Sequence, residues 1–404
     1  MGMLSGLKVL DFTTLLPGPF ATMMLADMGA DVVKVESPHR EDITKHLIPK
    51  DGDVSAAFGH LHRSKRSIAL DLKQEEAKEI VYQLIQAYDI VIEQFRPGVM
   101  DRLGIGYEKL KEINPKVIFC SITGYGQTGP LRDKAGHDIN YLSLAGAAGY
   151  SSRKNQAPVP SGIQVADIGG GSMPAVIGIL AAVYHREQTN EGQYMDLSIT
   201  DTVFSLNAMY GSGYLVGGEE PEAESLLLNG GSFYDYYETK DQRYFSVGSL
   251  EPKFKLRLCE LIGDEQLNKL RASTDSEDQQ EFKETLRNSF KQRTFDEWLT
   301  LIDDDFDGCV EPVLKFSESV QHPQMKAREM VVPVPKTEGG VQQQIAFPIK
   351  FSTEPASYRF TGVQTGKHTK EVLEEAGYSK AKMEALMEKG TFGELVNKQG
   401  DESV

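Results

Sequence analysis

The chain has 404 residues, long enough for two domains with sizeable cores, and its apolar (40%) and charged (25%) fractions are those of an ordinary globular protein. Its net charge of −16 argues against a general nucleic-acid surface, although an anionic ligand responds to the local field more than to the total. Its three cysteines, Cys120, Cys259 and Cys309, form no CxxC pair; this argues against a cysteine-rich metal site and a disulfide framework and points to a reducing, cytoplasmic setting.

No signal peptide is expected, because the apolar start before Gly6 is short and lacks a basic flank. Met1-Gly2 fails as an acylation signal, since Gly6 stands where Ser or Thr is needed. Residues 8–12 read as a short apolar strand. Leu16-Pro17-Gly18-Pro19 turns it into a helix over 20–28 that stops at Gly29, and 31–35 is a second strand. Further strands are expected at 68–71, 90–92 and 117–120, with a helix over 74–87 between the first two. This alternation predicts a doubly wound, Rossmann-like α/β domain. The strongest apolar run, residues 174–184, is too short to span a bilayer and reads as the core of a buried helix over 173–187. A turn at 190–193 and a strand followed by a helix over 195–209 come next. The division expected is a large α/β domain at 1–210, a Gly- and Glu-rich linker at 211–231, a small α+β domain at 232–330, and a return connection with C-terminal helices at 331–404. The return carries Pro333, Pro335 and Pro348, and its helices cover 369–375 and 380–389.

Three groups of residues could carry chemistry. Gly124-Tyr125-Gly126-Gln127-Thr128-Gly129 has the spacing of a dinucleotide loop, but Pro130 follows at once and no apolar helix starts there, so it reads as a glycine-rich site loop. His60, His62, Arg63, Lys65 and Arg66 form a basic cluster, and Arg96 in Phe95-Arg96-Pro97-Gly98 lies just past a strand. Basic loops at the carboxyl ends of parallel strands could hold a polyphosphate; a solvated basic face is the plain alternative, and His60 and His62 lack zinc-site spacing. Finally, His137 opens Gly136-His137-Asp138-Ile139-Asn140-Tyr141, and Asp167 precedes Ile168-Gly169-Gly170-Gly171-Ser172. A histidine works as acid or base near neutral pH, and a carboxylate beside helix-start amides could act as base or nucleophile. Each has a bland reading: His137 as a hydrogen-bonded structural residue, Asp167 as a helix cap, and Glu251 before Pro252 as the start of a helix.

Together these residues resemble family III CoA-transferases and α-methylacyl-CoA racemases over nearly the whole chain. The resemblance is carried by Leu4-Ser5-Gly6-Leu7-Lys8-Val9-Leu10-Asp11, Pro17-Gly18-Pro19, residues 25–36, Phe95-Arg96-Pro97-Gly98, residues 124–130 and Gly366-Lys367-His368-Thr369. Within the superfamily the match is closer to the racemases. Their catalytic histidine, aspartate and assisting glutamate fall in motifs like those around His137, Asp167 and Glu251. Formyl-CoA transferase relatives carry Tyr at the histidine position and a glycine-rich loop where this chain has Val247-Gly248-Ser249-Leu250-Glu251. The resemblance implies an interlocked homodimer, a large domain completed by the returning C-terminus, and no cofactor beyond coenzyme A carried on the substrate. The CoA portion is expected near Lys34, Lys65, Arg66, Arg96, Tyr141, Gly169 and Gly170, and neither nucleic acid nor membrane is an expected partner. The activity implied is racemisation of 2-methylacyl-CoA thioesters by proton transfer between His137 and Asp167. The alternatives are a CoA-transferase forming an aspartyl-CoA anhydride at Asp167, and a CoA-thioester binding protein without turnover.

Overall fold

Six strands, β1 Lys8–Asp11, β2 Asp31–Glu36, β3 Arg66–Ala69, β4 Ile90–Glu93, β5 Ile118–Thr123 and β6 Gln193–Ser198, pair in parallel in the order β3-β2-β1-β4-β5-β6. The computed structural model in which they lie describes residues 2–303 and 305–393. This is the doubly wound order. β1 sits at the reversal: Val9 pairs with Val32 on one side and with Ile90 on the other. β4 and β5 are buried along their whole length, as expected of parallel strands covered on both faces, and their sequences are accordingly runs of apolar residues rather than alternations. β3 starts at Arg66, two residues before the expected strand.

The helices follow the physical signals in the chain. α1 Pro17–Asp27 starts at its prolines, and a positive φ of 101° at Gly29 terminates it. An added Cβ on Gly18 would lie 2.3 Å from Thr13, so only glycine permits the turn out of β1. α2 Glu75–Leu84 turns Ala77, Ile80, Val81 and Leu84 inward. α3 Asp138–Leu144 and α5 Ile199–Ser205 flank α4 Met173–Thr189. α4 is continuous with a π-helical segment, Ala166–Ser172, giving one helix of 24 residues. That is longer than the eleven-residue apolar run suggested, and by length and composition it is sufficient to cross a membrane. Ala175, Val176, Ile179 and Ala182 on it are nevertheless buried in the protein.

The chain divides into two compact units. The first is built from the chain up to Ala145, Ser161–Ser205 and the chain from Gln324 onward. A hairpin, β10 Val331–Pro335 with β11 Val341–Ile345, occupies part of the expected connection. After it come the C-terminal helices, α9 Thr369–Glu375 and α10 Lys380–Glu388. Val372, Leu373, Met383 and Leu386 from these helices join Ile80, Leu84 and Phe119 in one core, so the returning chain completes the first unit. Each such side chain contributes about 1.5–3 kcal/mol through burial. Residues 394–404 of the expected return segment lie outside the described residues.

The second unit takes Gly146–Pro160 and Leu206–Pro323. Residues 146–160 and 206–210, expected in the large domain, therefore belong here together with the expected linker, while 324–330, expected in the small domain, fall in the first unit. Its strands β7 Asp235–Glu238, β8 Tyr244–Val247 and β9 Val310–Pro312 form an antiparallel sheet, β9-β8-β7, against α6 Pro252–Ile262, α7 Ser276–Phe290 and α8 Phe295–Leu301. Its core is aromatic: Tyr237 stacks on Phe290 at 5.3 Å, and buried Trp298 donates its indole N–H to the Phe290 carbonyl at 2.9 Å. The expected linker also needs correction. It contains a helix, Tyr210–Gly217, whose glycines do not prevent the turns because φ stays helical until Gly218 at +74°.

Candidate functional site

In an open parallel sheet, loops that leave adjacent strands in opposite directions open a crevice at the carboxyl edge. Here that point lies between β1 and β4. A cavity of about 250 Å³ occupies it, lined by Leu15 and Pro17 after β1 and by Gln94, Phe95, Arg96 and Pro97 after β4. Gln94 ties the two loops together: its carbonyl accepts from Gly18 N–H at 3.1 Å and its amide donates to the Thr14 carbonyl at 2.6 Å. The other walls come from Thr123 at the end of β5, from Gly124 and Tyr125 after it, from Arg132 and residues 134–137, from Tyr141 and from Asp167. His137 and Asp167, thirty residues apart in the chain, thus meet on one cavity.

His137 sits immediately before α3 with an exposed ring. Its backbone is fixed: its N–H donates to Asn140 Oδ1 at 3.0 Å, and its carbonyl accepts from Asn140 N–H at 2.8 Å. Buried Tyr141 sets the loop, donating its hydroxyl to the Gly136 carbonyl at 2.6 Å and packing edge-on to Tyr125. An added Cβ on Gly136 would fall 2.6 Å from the Tyr125 hydroxyl, which explains the glycine beside the histidine. Burial and the nearby Asp167 carboxylate push the Tyr141 phenol up to about 12, so it stays a donor. It therefore acts on the site by holding the His137 loop.

Asp167 lies within the π-helical segment, a geometry found disproportionately at functional sites. It does not cap α4. The helical backbone already begins upstream of it, and its own N–H donates to Asp138 Oδ1 at 2.9 Å. Asp138 thereby joins the start of α3 to the Asp167 turn. Burial, then the Asp138 charge, push the Asp167 carboxyl up to about 6, against the pull of His137. The glycines that follow differ from expectation. They lie in the body of the helix, so their amides do not form the helix-start anion site. Gly170 and Gly171 are there for packing: an added Cβ on Gly170 would lie 2.9 Å from Val203, and one on Gly171 3.2 Å from Pro17. Gly169 alone borders open space.

The basic residues also sort differently. Lys34 and Lys65 are buried and occupied internally: Lys34 donates to the Thr13 carbonyl at 2.7 Å, and Lys65 to the Pro19 carbonyl at 2.8 Å, with Asp11 at 3.4 Å. Burial pulls the Lys65 ammonium down to about 7, against the attraction of Asp11. Arg66 is held by Asp31, Glu371 and Glu375 at 2.8–2.9 Å. His60 is depressed to about 4, chiefly by burial and then by Arg63. None of these lines the cavity, whereas Arg96 does and is exposed. Arg132 and Lys134, which the sequence reading passed over, join it there. Their signal was their place between the glycine-rich loop and His137. Glu93 precedes the Gln94–Pro97 wall without lining the cavity itself. It ends β4, accepts from Phe95 N–H at 2.7 Å, and burial pushes its carboxyl up to about 7. Glu251 belongs to the second unit, where its carbonyl accepts from Lys255 N–H at the start of α6.

Comparison with known proteins decides the family. The profile described as CoA-transferase family III matches residues 4–369. The chain belongs to CoA-transferase family III. Its family relatives include an alpha-methylacyl-CoA racemase from Homo sapiens, 33% identical over 95% of this chain and 96% of that protein. A succinate–glutarate CoA-transferase from Agrobacterium fabrum is 34% identical over 92% and 95%. The crystal structure of a CAIB/BAIF family protein from Brucella suis superposes with a TM-score of 0.79 and 29% identity, covering 93% of this chain and all of that one. Family III thus holds both racemases and transferases among proteins equally similar to this chain, and the site geometry has to carry the choice between them.

Proposed function

We propose that this family III member isomerises 2-methylacyl-CoA thioesters by moving the α-proton between His137 and Asp167. The observation that carries this reading is their meeting on one cavity, with Asp167 raised to about 6. A carboxyl in that range is partly protonated near neutral pH and can both give and take a proton, as a reversible relay requires. His137 takes the proton from one face of the α-carbon. Protonated Asp167 delivers one to the other face, and the reverse reaction exchanges the roles. Arg96, Arg132 and Lys134 supply positive charge for the CoA phosphates, and Glu251, from a small unit, is the assisting group implied by the resemblance.

A second reading rests on the equal likeness to the Agrobacterium fabrum CoA-transferase. In it Asp167 attacks a thioester carbonyl, displacing CoA thiolate and forming a mixed anhydride, and Gly169 leaves the approach open. Incubation with a chiral 2-methylacyl-CoA in heavy water separates the two. Deuterium uptake at the α-carbon with loss of chirality, without any acceptor acid and abolished in His137→Asn, is the expected result. CoA transfer to an added acid with no α-exchange would reject the isomerase reading.

The protein is further proposed to be an interlocked homodimer. The support is the outward face of α4, where Ile177 and Tyr184 are 68% and 69% exposed and Met173 lies on the same helix. A second copy of the chain would cover such an apolar face. Sedimentation at micromolar concentration should give twice the 44.8 kDa chain mass, and a monomer would reject the dimer.

A further inference from the structure

The wall of the cavity formed after β1 is held from within the protein by a buried charged network. Asp42 is 5% exposed, and both of its carboxylate oxygens accept hydrogen bonds. Oδ2 takes the Leu15 N–H at 3.0 Å, and Oδ1 takes the Thr44 N–H at 3.0 Å and the Thr44 hydroxyl at 2.7 Å. Lys34 stands 3.9 Å from the same carboxylate and donates to the Thr13 carbonyl at 2.7 Å. His62, also buried, faces Asp42 at 3.8 Å. Leu15 has a φ of +65°, a left-handed backbone that a leucine adopts only when its surroundings impose it. Leu15 also lines the cavity.

We propose that Asp42 is a positioning residue of the candidate site: by gripping the Leu15 N–H from behind, it holds the strained Thr13–Pro17 loop in the shape that receives the CoA thioester. The proposal rests on the reading of this cavity as the acyl-CoA site. Asp42 touches no substrate. Its effect passes through Leu15, the residue that must stay left-handed for the wall to keep its form. The sequence distance of 27 residues, and the lack of any motif linking the two, hide the connection from sequence inspection.

Asp42→Asn tests it with almost no change of volume. A carboxylate can accept from Leu15 and Thr44 together, whereas an amide presents one oxygen and one NH₂, so one of the two N–H groups must lose its acceptor. KM for the acyl-CoA should rise about tenfold with kcat within threefold, matching the loss of one charged hydrogen bond. In the same variant the Leu15 amide should exchange with solvent faster than in the wild type, while the amides of β5 stay as protected as before. Wild-type KM in Asp42→Ala, which takes the acceptor from both N–H groups, or raised KM with unchanged Leu15 exchange, would overturn the proposal. If Asp42→Asn does not fold, the wild-type protein still decides: the Leu15 amide must be protected well beyond its loop neighbour Thr14, and rapid exchange there rejects the grip. Calorimetric titration of the wild type with coenzyme A separates this failure from failure of the site reading. Absence of CoA binding rejects the reading of the cavity, whereas equal CoA affinity in wild type and Asp42→Ala rejects the role of Asp42.

Discussion

Asp167→Asn should lower turnover of an acyl-CoA substrate by roughly 10³-fold, because both candidate chemistries pass through its carboxylate. The substitution is nearly isosteric and leaves the local backbone anchors intact: the Asp167 N–H still reaches Asp138, and its carbonyl still accepts from the Ser172 hydroxyl at 3.1 Å. A loss of rate would therefore report on the carboxylate itself. Stability should move the other way. Burial and Asp138 raise the Asp167 carboxyl from 3.8 to about 6, so its ionised form is less favourable in the folded protein than in the unfolded chain. This penalty is fully present above pH 6 and vanishes as pH falls toward 4, where both states bind the proton. Asp167→Asn should accordingly be more stable than the wild type at pH 8, with the gain shrinking between pH 6 and 4. The wild-type rate should show an ionisation near pH 6: activity falling below it for a nucleophilic carboxylate, and falling on both sides of an optimum for a two-group proton relay. Thermal unfolding from pH 4 to 8, together with initial rates, checks both parts. Turnover within tenfold of the wild type would remove Asp167 from the chemistry.

Much of this site was legible because its signals are local. Apolar runs separated by helical periods placed the β1, β2, β4 and β5 strands, and the glycine before His137 and the glycines following Asp167 marked two tight places in the backbone. What each glycine does was not legible. Gly170 and Gly171 sit against α5 and α1, a packing requirement that depends on elements folded from distant sequence, and only Gly169 faces open space. The basic residues misled for the same reason. A lysine in a linear pattern carries no sign of whether a carboxylate will neutralise it, and Lys65 meets Asp11 across 54 residues. Arg132 and Lys134 showed the opposite error: they look like an ordinary loop in sequence, and the fold brings them to the cavity beside Arg96. The helix at Tyr210–Gly217 escaped because three glycines in eight residues read as a linker by composition.

Arg63→Ala should destabilise the first unit by about 3–5 kcal/mol, the cost of leaving a buried charge without its partner. The Arg63 guanidinium grips Asp27 with two hydrogen bonds, at 2.9 and 2.6 Å, and the side chains are 1% and 0% exposed. It also donates to the Ile345 carbonyl at 2.7 Å and lies over the Tyr358 ring at 4.7 Å. One residue thus joins the last turn of α1, whose first turn lines the cavity, to β11 of the returning chain. Burial already raises the Asp27 carboxyl above 3.8 despite Arg63, so its ionised form is tolerated mainly because the guanidinium is there. Without Arg63 the carboxyl should rise further and take up a proton at mildly acidic pH. The loss of stability should therefore be greater at pH 8 than at pH 5. Replacing both partners, Arg63→Met with Asp27→Leu, removes the stranded charge and should restore most of the stability, though not the hydrogen bond to Ile345. Urea unfolding of the wild type, single and double variants at the two pH values is the measurement. A double variant as unstable as Arg63→Ala would show that the hydrogen bond to β11 and the stacking on Tyr358, rather than the pairing with Asp27, hold this junction.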